Sequence, residues 1–410
     1  MTSLIFFQQM IVGIIKEGKN PPDKRVPFTP EQCVQIQKNF KNVEVVVQKS
    51  KIRAIADSSY EAMGIKTLEN VQHADVLFGV KEVNIEDLIP NKKYFFFSHT
   101  IKKQPYNREL LQSIIKKNIQ LIDYECIRNQ KGIRLVGFGR YAGIVGSYNG
   151  FRAYGIAQNT FSLKAAHLCT DRNEMEAQLP KVMLPKGFKI VITGLGRVAS
   201  GAEEILNILN VKKVEPNNFL CKTYNQAVYT QLTVEEYFKR TDGQAFDRFD
   251  VYKDPTHFER NFMPYAQVAD MFISCHFWDS RGPKIFTKED AAEVKFNIRT
   301  VADISCDIDD PIASTLRPST IVDPIYYYDR FTGKEVNAPN ANTITVMAVD
   351  NLPCELPKDA SEDFGNELLA KVLPSLLTSD HENIIENASI TKAGRLGDNY
   401  MYLSDYLKEN

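Results

Sequence analysis

Ionisable side chains stand at the ends of several short apolar runs. Lys81 and Glu82 follow DVLFGV, His99 follows YFFFS, Asp303 and Asp307 follow RTVA, and Arg25 sits in the loop KNPPDKRVPFTP. A lysine and a histidine together form an acid–base pair, an arginine anchors a carboxylate, and two further carboxylates suit polar contacts with a bound ligand. Each position also has a plainer explanation. A Lys-Glu pair after a strand is ordinarily a solvated turn, a histidine after an aromatic run is often a satisfied structural group, Arg25 can pair with Asp23, and Asp303 can cap a helix. Their joint placement beside a glycine-rich turn argues for chemistry.

That turn is VITGLGRVASG, residues 191–201. The run from Lys189 to Ile192 leads into Gly194, Gly196 and the small Ala199, and AEEILNIL continues with helical spacing, which predicts a strand, a tight turn and a helix. Gly194 can take the backbone angles of the turn, Gly196 lets the backbone approach a pyrophosphate, and Ala199 with Gly201 allows close packing. Unpaired N–H groups at the helix start then face the phosphates. A G-x-G-x-x-A pattern by itself is also plain architecture.

The elements that must position these residues alternate. IVGIIKE, VEVVVQK, ADVLFGVKE, KYFFFSH and IQLIDYE read as β-rich runs; TPEQCVQIQKNF, capped by Thr29 with Pro30 in its first turn, SSYEAMG and NRELLQSIIKK read as helices. Such alternation predicts a parallel sheet covered on both faces, with ligands beyond the carboxyl ends of its strands. RLVGFGRYAGIVGSYNGFRAYGIA (134–157) reads as a connecting helix whose small residues pack closely on a neighbour, the alternative being a phosphate-binding glycine loop without a clean strand before it.

In the second half NNFLCKT is expected as the second strand, AQVADMFISCHFW as the third and NIRTVADISCD as the fourth, with residues 224–265 as an insertion. ANTITVMAV and DNLPCELPKDASEDFGNELLAKVLPSLL are expected to return to the first domain, and the polar tail from about Ser379 to wrap the surface. The expected domains are therefore residues 1–140 with about 342–410, and about 141–341.

Composition agrees with this class. A chain of 410 residues suggests two domains, and 43% hydrophobic with 25% charged residues is that of a soluble globular protein. Fifty basic against 51 acidic residues, with no dense basic block, give no electrostatic support to a nucleic-acid or anionic-membrane role, so a small-molecule substrate is expected. Seven scattered cysteines without C-x-x-C read as small hydrophobes in a reducing cytosol, hence a cytoplasmic protein. The opening MTSLIFFQQMIVGII lacks a basic region and predicts neither a signal peptide nor a membrane span. The six histidines are dispersed, so no metal site is expected, and no G-x-S-x-G elbow is present. Assembly into a homo-oligomer stays open.

GIIKEGKNPPDKRVPFTP, VKE at 80–82, SHTIKKQPYN, RLVGFGRYAG, TGLGRVASG, VADISCD and VDNLPCELPKDASEDFG resemble, in order, motifs of the lysine-forming saccharopine dehydrogenase and lysine-ketoglutarate reductase family. More distantly the chain is similar to alanine dehydrogenases and to the nucleotide-binding part of transhydrogenases. The resemblance covers most of residues 11–376 and leaves out 224–265 and the tail. It implies an α/β fold of two doubly wound Rossmann-like domains with an interdomain cleft. The activity it implies is NAD(P)-dependent oxidation of saccharopine to lysine and 2-oxoglutarate, or the reverse condensation.

Carried onto this sequence, the resemblance makes Lys81 and His99 catalytic and Arg25, Gln104, Arg134 and Phe138 substrate-binding. It assigns Gly196, Arg197 and the VADISCD segment with Asp303 and Asp307 to the cofactor, Asp307 also fitting the aspartate of alanine dehydrogenases, and Gly194, Val198, Lys222, Thr223 and Cys275 are further cofactor-site candidates. An NAD site expects an acid about 20 residues after the glycines. The strand expected there ends Cys221, Lys222, Thr223, Tyr224, and Lys222 could face a 2′-phosphate, so NAD and NADP both stay open. The alternatives are a smaller amino-acid dehydrogenase of the alanine type and a non-catalytic nucleotide-binding regulator.

Overall fold

The computed structural model describes residues 9–308 and 311–408; the start of the opening apolar stretch, MTSLIFFQ, lies outside the described residues. The chain forms two compact units, Met1–Phe138 with Pro357–Asn410, and Gly139–Leu356.

In the first unit β1 (Met10–Ile14), β2 (Val43–Gln48), β3 (Lys66–Leu68), β4 (Val76–Phe78), β5 (Lys93–Phe96) and β6 (Gln120–Asp123) pair in parallel, in the order β6-β5-β4-β1-β2-β3. Successive side chains point to opposite faces, and here both faces are covered. Val12, Val45, Val47, Phe78 and Phe95 pack on one side, while Val46, Leu77, Tyr94, Phe96 and Leu121 pack on the other. Helix α1 (Pro30–Asn39) starts with a capping box between Thr29 and Gln32 and has Pro30 in its first turn. Helix α2 (Arg108–Lys116) buries Leu110, Leu111 and Ile114.

The second unit opens with helix α3 (Gly139–Gln158). There follow β7 (Lys189–Thr193), α4 (Arg197–Ile208), β8 (Lys212–Lys213), α5 (Pro216–Cys221), β9 (Val228–Leu232), β10 (Phe238–Arg240), β11 (Phe258–Arg260), β12 (Met271–Ser274), β13 (Thr300–Asp303), β14 (Ile325–Asp329), β15 (Lys334–Val336) and β16 (Thr343–Met347). Its main sheet runs β15-β14-β16-β13-β12-β7-β9-β8, parallel from β16 to β8 and antiparallel at the β14 and β15 edge. The connection reverses direction at β7 and β12, so the crevice past their carboxyl ends is the switch point where such sheets bind ligands. Small residues bring α3 and α4 into backbone contact. A Cβ on Gly143 would lie 1.9 Å from the Val198 carbonyl oxygen, and one on Gly201 would lie 1.9 Å from that of Arg140.

Three expectations are corrected here. NNFLCKT is not the second strand: Pro216 opens α5, which buries Phe219. The second strand is β9, in register with β7 (Val191 opposite Thr230), so the supposed insertion at 224–265 contains a strand of the main sheet, and the added part is the β10-β11 ribbon with its connections. Second, ANTITVMAV forms β16, parallel to β13, so the chain returns to the first unit at Pro357 rather than near residue 342. Third, the tail is part of the first sheet. After helix α6 (Pro357–Lys371), β17 (Ser389–Lys392) pairs antiparallel with β6 and with β18 (Arg395–Leu396), and Ile390, Leu403 and Tyr406 are buried. Helix α6 also braces the loop that carries Arg25: Val26 N–H donates to Ser361 Oγ (2.9 Å), and Gln32 Nε2 donates to the Glu362 carbonyl (2.8 Å).

The cysteines are free thiols, but only Cys33 and Cys275 are buried; Cys126, Cys169, Cys306 and Cys354 are half-buried and Cys221 is exposed, so the reading of all seven as buried hydrophobes is corrected. No helix among the described residues is long and apolar enough to cross a membrane.

Candidate active site

In the first unit the ends of β1, β4 and β5 bring a set of ionisable groups together. Past β1, the Glu17 carboxylate accepts from the backbone N–H groups of Val80 (2.7 Å) and Lys81 (2.9 Å), fixing the segment that follows β4. Glu17 is almost fully buried, and that burial pushes its pKa up to about 8 despite the two donors. Lys81 is held below its ordinary pKa by burial first, then by the positive charges of Arg25 and Lys19.

Glu82 hydrogen-bonds His99 Nδ1 and also accepts from Lys19 Nζ (3.1 Å). Burial alone would raise Glu82, yet the His99 hydrogen bond and charge bring its pKa down to about 2. An ionised carboxylate only accepts, so His99 donates from Nδ1 and Nε2 is left for proton transfer. The His99 backbone sits in the left-handed region (φ 54°), after Ser98, whose N–H donates to Asp123 Oδ2 at the end of β6 (2.8 Å). Its ring lies over Phe97, 6.5 Å between centroids.

The expected anchors take different places. Arg25 is nearly fully buried and grips Asp23 through Nε (3.0 Å) and Nη2 (2.6 Å), with its guanidinium 4.1 Å from the Phe138 ring centroid. The plainer Asp23 pairing is thus what the structure contains. Phe138 stacks on Phe364 (4.3 Å) and leans on Phe97, and Arg134 lies 5.3 Å from the Phe97 ring while Nε donates to the Val136 carbonyl. Arg25, Phe138, Phe97, Arg134, His99 and Glu82 therefore form one linked group. Gln104 does not join it: its side chain accepts from Tyr106 and its carbonyl from Tyr406 (2.5 Å). A pocket of about 520 Å³ borders the group through Glu17, Lys81 and Glu82, but Arg25, His99, Gln104 and Arg134 do not line it.

Glu17 was not singled out from the sequence, although Lys16-Glu17 after β1 mirrors Lys81-Glu82 after β4, and the strand-end rule applies to both. A carboxyl whose folded pKa is raised contributes stability fully present below the unfolded value of 4.5, which is lost as pH rises toward 8. The melting temperature of the wild type relative to Glu17→Gln is accordingly expected to fall between pH 5 and pH 8; a difference independent of pH over that range would contradict the assignment.

In the second unit, a separate pocket of about 480 Å³ lies at the glycine turn. Gly194 has φ 94°, and a Cβ there would come within 2.8 Å of the Cys275 carbonyl oxygen. A Cβ on Gly196, the N-cap of α4, would meet nothing within 4 Å, so the turn leaves open room directly before the helix N-terminus. Gly194, Gly196, Arg197, Val198, Cys275 and Asp307 all line this pocket. The room before the helix and the polar wall fit the diphosphate of a nicotinamide dinucleotide.

Asp303 lies beneath the pocket. It is fully buried, accepts from Ser305 Oγ (2.6 Å), Thr315 Oγ1 (2.8 Å) and Cys306 N–H (3.1 Å), and burial raises its pKa; it braces the turn that presents Ser305 and Asp307. Lys222 and Thr223 are exposed beyond α5 and do not line the pocket, because the strand expected to end there is β9. The second strand runs into Thr233, whose N–H and hydroxyl both donate to Glu236. His276 and Tyr237 line the pocket and were missed; His276 stands in the quoted run FISCHFW just past β12.

Residues 13–145 match the family model "Alanine dehydrogenase/PNT, N-terminal domain". The chain is 29% identical, over 98% of its length, to alpha-aminoadipic semialdehyde synthase of Arabidopsis thaliana, covering 42% of that protein. It is 23% identical to the lysine-forming, NAD(+) saccharopine dehydrogenase of Candida albicans over 88% of this chain and 90% of that one. Among solved structures, an L-alanine dehydrogenase superposes with a TM-score of 0.66 at 16% identity, covering 97% of this chain and all of that one. The chain spans about half the length, or less, of the semialdehyde synthases it matches. By fold it is an α/β protein of two Rossmann-like units like those of alanine dehydrogenase, and by sequence it is similar to the saccharopine dehydrogenases and alpha-aminoadipic semialdehyde synthases.

Proposed function

We propose that this chain is a nicotinamide-dependent oxidoreductase of the C–N bond, converting saccharopine to lysine and 2-oxoglutarate or running the reverse condensation. The observation that carries this reading is at the ends of β4 and β5: Lys81, its ammonium destabilised by burial, precedes Glu82, the ionised carboxylate that orients His99.

The dinucleotide, when bound, supplies the hydride acceptor or donor; Gly194, Gly196, Arg197 and Asp307 would hold it. The chain's residues must move the protons. A carbon bearing nitrogen gives up hydride only when the nitrogen is neutral, so a base takes the proton of the secondary amine first. Water must then lose a proton as it attacks the imine, and the departing amine must regain one. His99 Nε2, its ring fixed by Glu82, and Lys81, its pKa lowered by burial and by the charges of Arg25 and Lys19, can share these transfers. With Lys222 away from the pocket, the argument it gave for a 2′-phosphate falls away.

The test is product identification. Saccharopine with NAD⁺ or NADP⁺ and the purified chain is expected to yield lysine and 2-oxoglutarate in equal amounts. Consumption of alanine instead, with pyruvate as product, would overturn the substrate assignment.

A further inference from the structure

The pocket at the glycine turn contains a buried polar atom without a partner. His276 follows β12 directly, is 6% exposed, and lines the pocket with Gly194 and Gly196. Its Nδ1 lies 2.7 Å from Thr193 Oγ1, its ring packs 5.6 Å from Tyr237, and its Nε2 is buried with no hydrogen-bond partner. Buried nitrogens are seldom left so, because an unmade hydrogen bond carries the full desolvation penalty.

The surroundings of Nδ1 favour one tautomer. Thr193 is fully buried and its hydroxyl bonds His276. Nδ1 faces two hydroxyls, Thr193 Oγ1 at 2.7 Å and Ser274 Oγ at 3.4 Å; with Thr193 donating to Nδ1, the imidazole proton sits on Nε2. Burial pushes the ring's pKa down to about 4, so at neutral pH it is an uncharged donor. That donor stands past β12, the strand beside β7, at the switch point where a parallel sheet receives the ribose and diphosphate of a dinucleotide.

We propose that His276 is a cofactor-binding residue, its Nε2–H donating to an oxygen of the ribose–diphosphate portion of the nicotinamide dinucleotide. The inference rests on the reading of this pocket as the dinucleotide site. Thr193 acts through it as a positioning residue that favours this tautomer.

The probes are NADH, NADPH and ADP-ribose, the last retaining the ribose–diphosphate but not the nicotinamide. In the full chain labelled with ¹⁵N-histidine, the Nε2 signal of His276, assigned by its loss in His276→Gln, is expected to shift on adding any of the dinucleotides the chain binds and on adding ADP-ribose. The dissociation constant for ADP-ribose is expected to rise about tenfold in His276→Phe at unchanged melting temperature. An unshifted Nε2 at saturating ADP-ribose, or affinity within twofold of wild type in folded His276→Phe, would overturn the proposal. Should His276→Phe not fold, the Nε2 shift decides alone. Failure of the wild type to bind any of the three probes would overturn the pocket reading itself.

Discussion

Lys81→Met and His99→Gln are each expected to lower turnover by about a hundred- to ten-thousandfold, while the dissociation constant for the dinucleotide stays within a factor of two. The separation follows from where the groups sit. Lys81 and His99 belong to the first unit, at the ends of β4 and β5, whereas the glycine-turn pocket is built entirely from residues 194–307 of the second. Removing either amine or imidazole deletes a proton carrier without touching the pocket. Methionine keeps the length and apolar stem of Lys81, and glutamine keeps a polar group opposite Glu82, so folding is not the variable. Loss of dinucleotide binding in either folded variant would count against the roles assigned.

Gly143→Ala is expected to destabilise the second unit by about 3 kcal/mol, lowering its melting temperature by roughly 10 °C. The added methyl would sit 1.9 Å from the Val198 carbonyl oxygen and 2.8 Å from the Ala202 nitrogen. Both are backbone atoms of α4, so no rotamer can move aside; the helices must separate, and the Gly196 turn at the head of α4 moves with them. Gly196→Ala gives the contrast. Its Cβ meets nothing within 4 Å, so the stability change is expected to stay under about 1 kcal/mol, while the methyl projects into the room before the helix and weakens dinucleotide binding. Calorimetry and dinucleotide titration on both variants check the pair, and equal melting temperatures would contradict the helix contact.

Much of this was legible in the sequence because it is local. The Thr29 and Pro30 start of α1, the apolar runs of β1, β2, β5 and β6, and the turn at Gly194 and Gly196 are each set by residues within one element. Strand ends pointed to Lys81, Glu82 and His99. Where the reading failed, the deciding contact was distant or the run was short. Four residues, Asn218 to Cys221, do not distinguish strand from buried helix by period, and Pro216 at the helix start was the overlooked signal. That error carried Lys222 and Thr223 into the site. TITVM reads as a strand in either unit; only its pairing with Thr300–Asp303 assigns it to the second sheet. Glu17 meets Lys81 across 64 positions, a relation that no spacing rule encodes, whereas the Asp23–Arg25 pair is local and was legible.

The central claim, that the chain interconverts saccharopine with lysine and 2-oxoglutarate, is tested most directly by following reduced-nicotinamide absorbance with the purified chain. NADH or NADPH is supplied with lysine, with 2-oxoglutarate, and with both. Oxidation only when both are present is the predicted result, and it names the cofactor at the same time. Oxidation with a single substrate, or none with both while the dinucleotide is bound, would contradict the account.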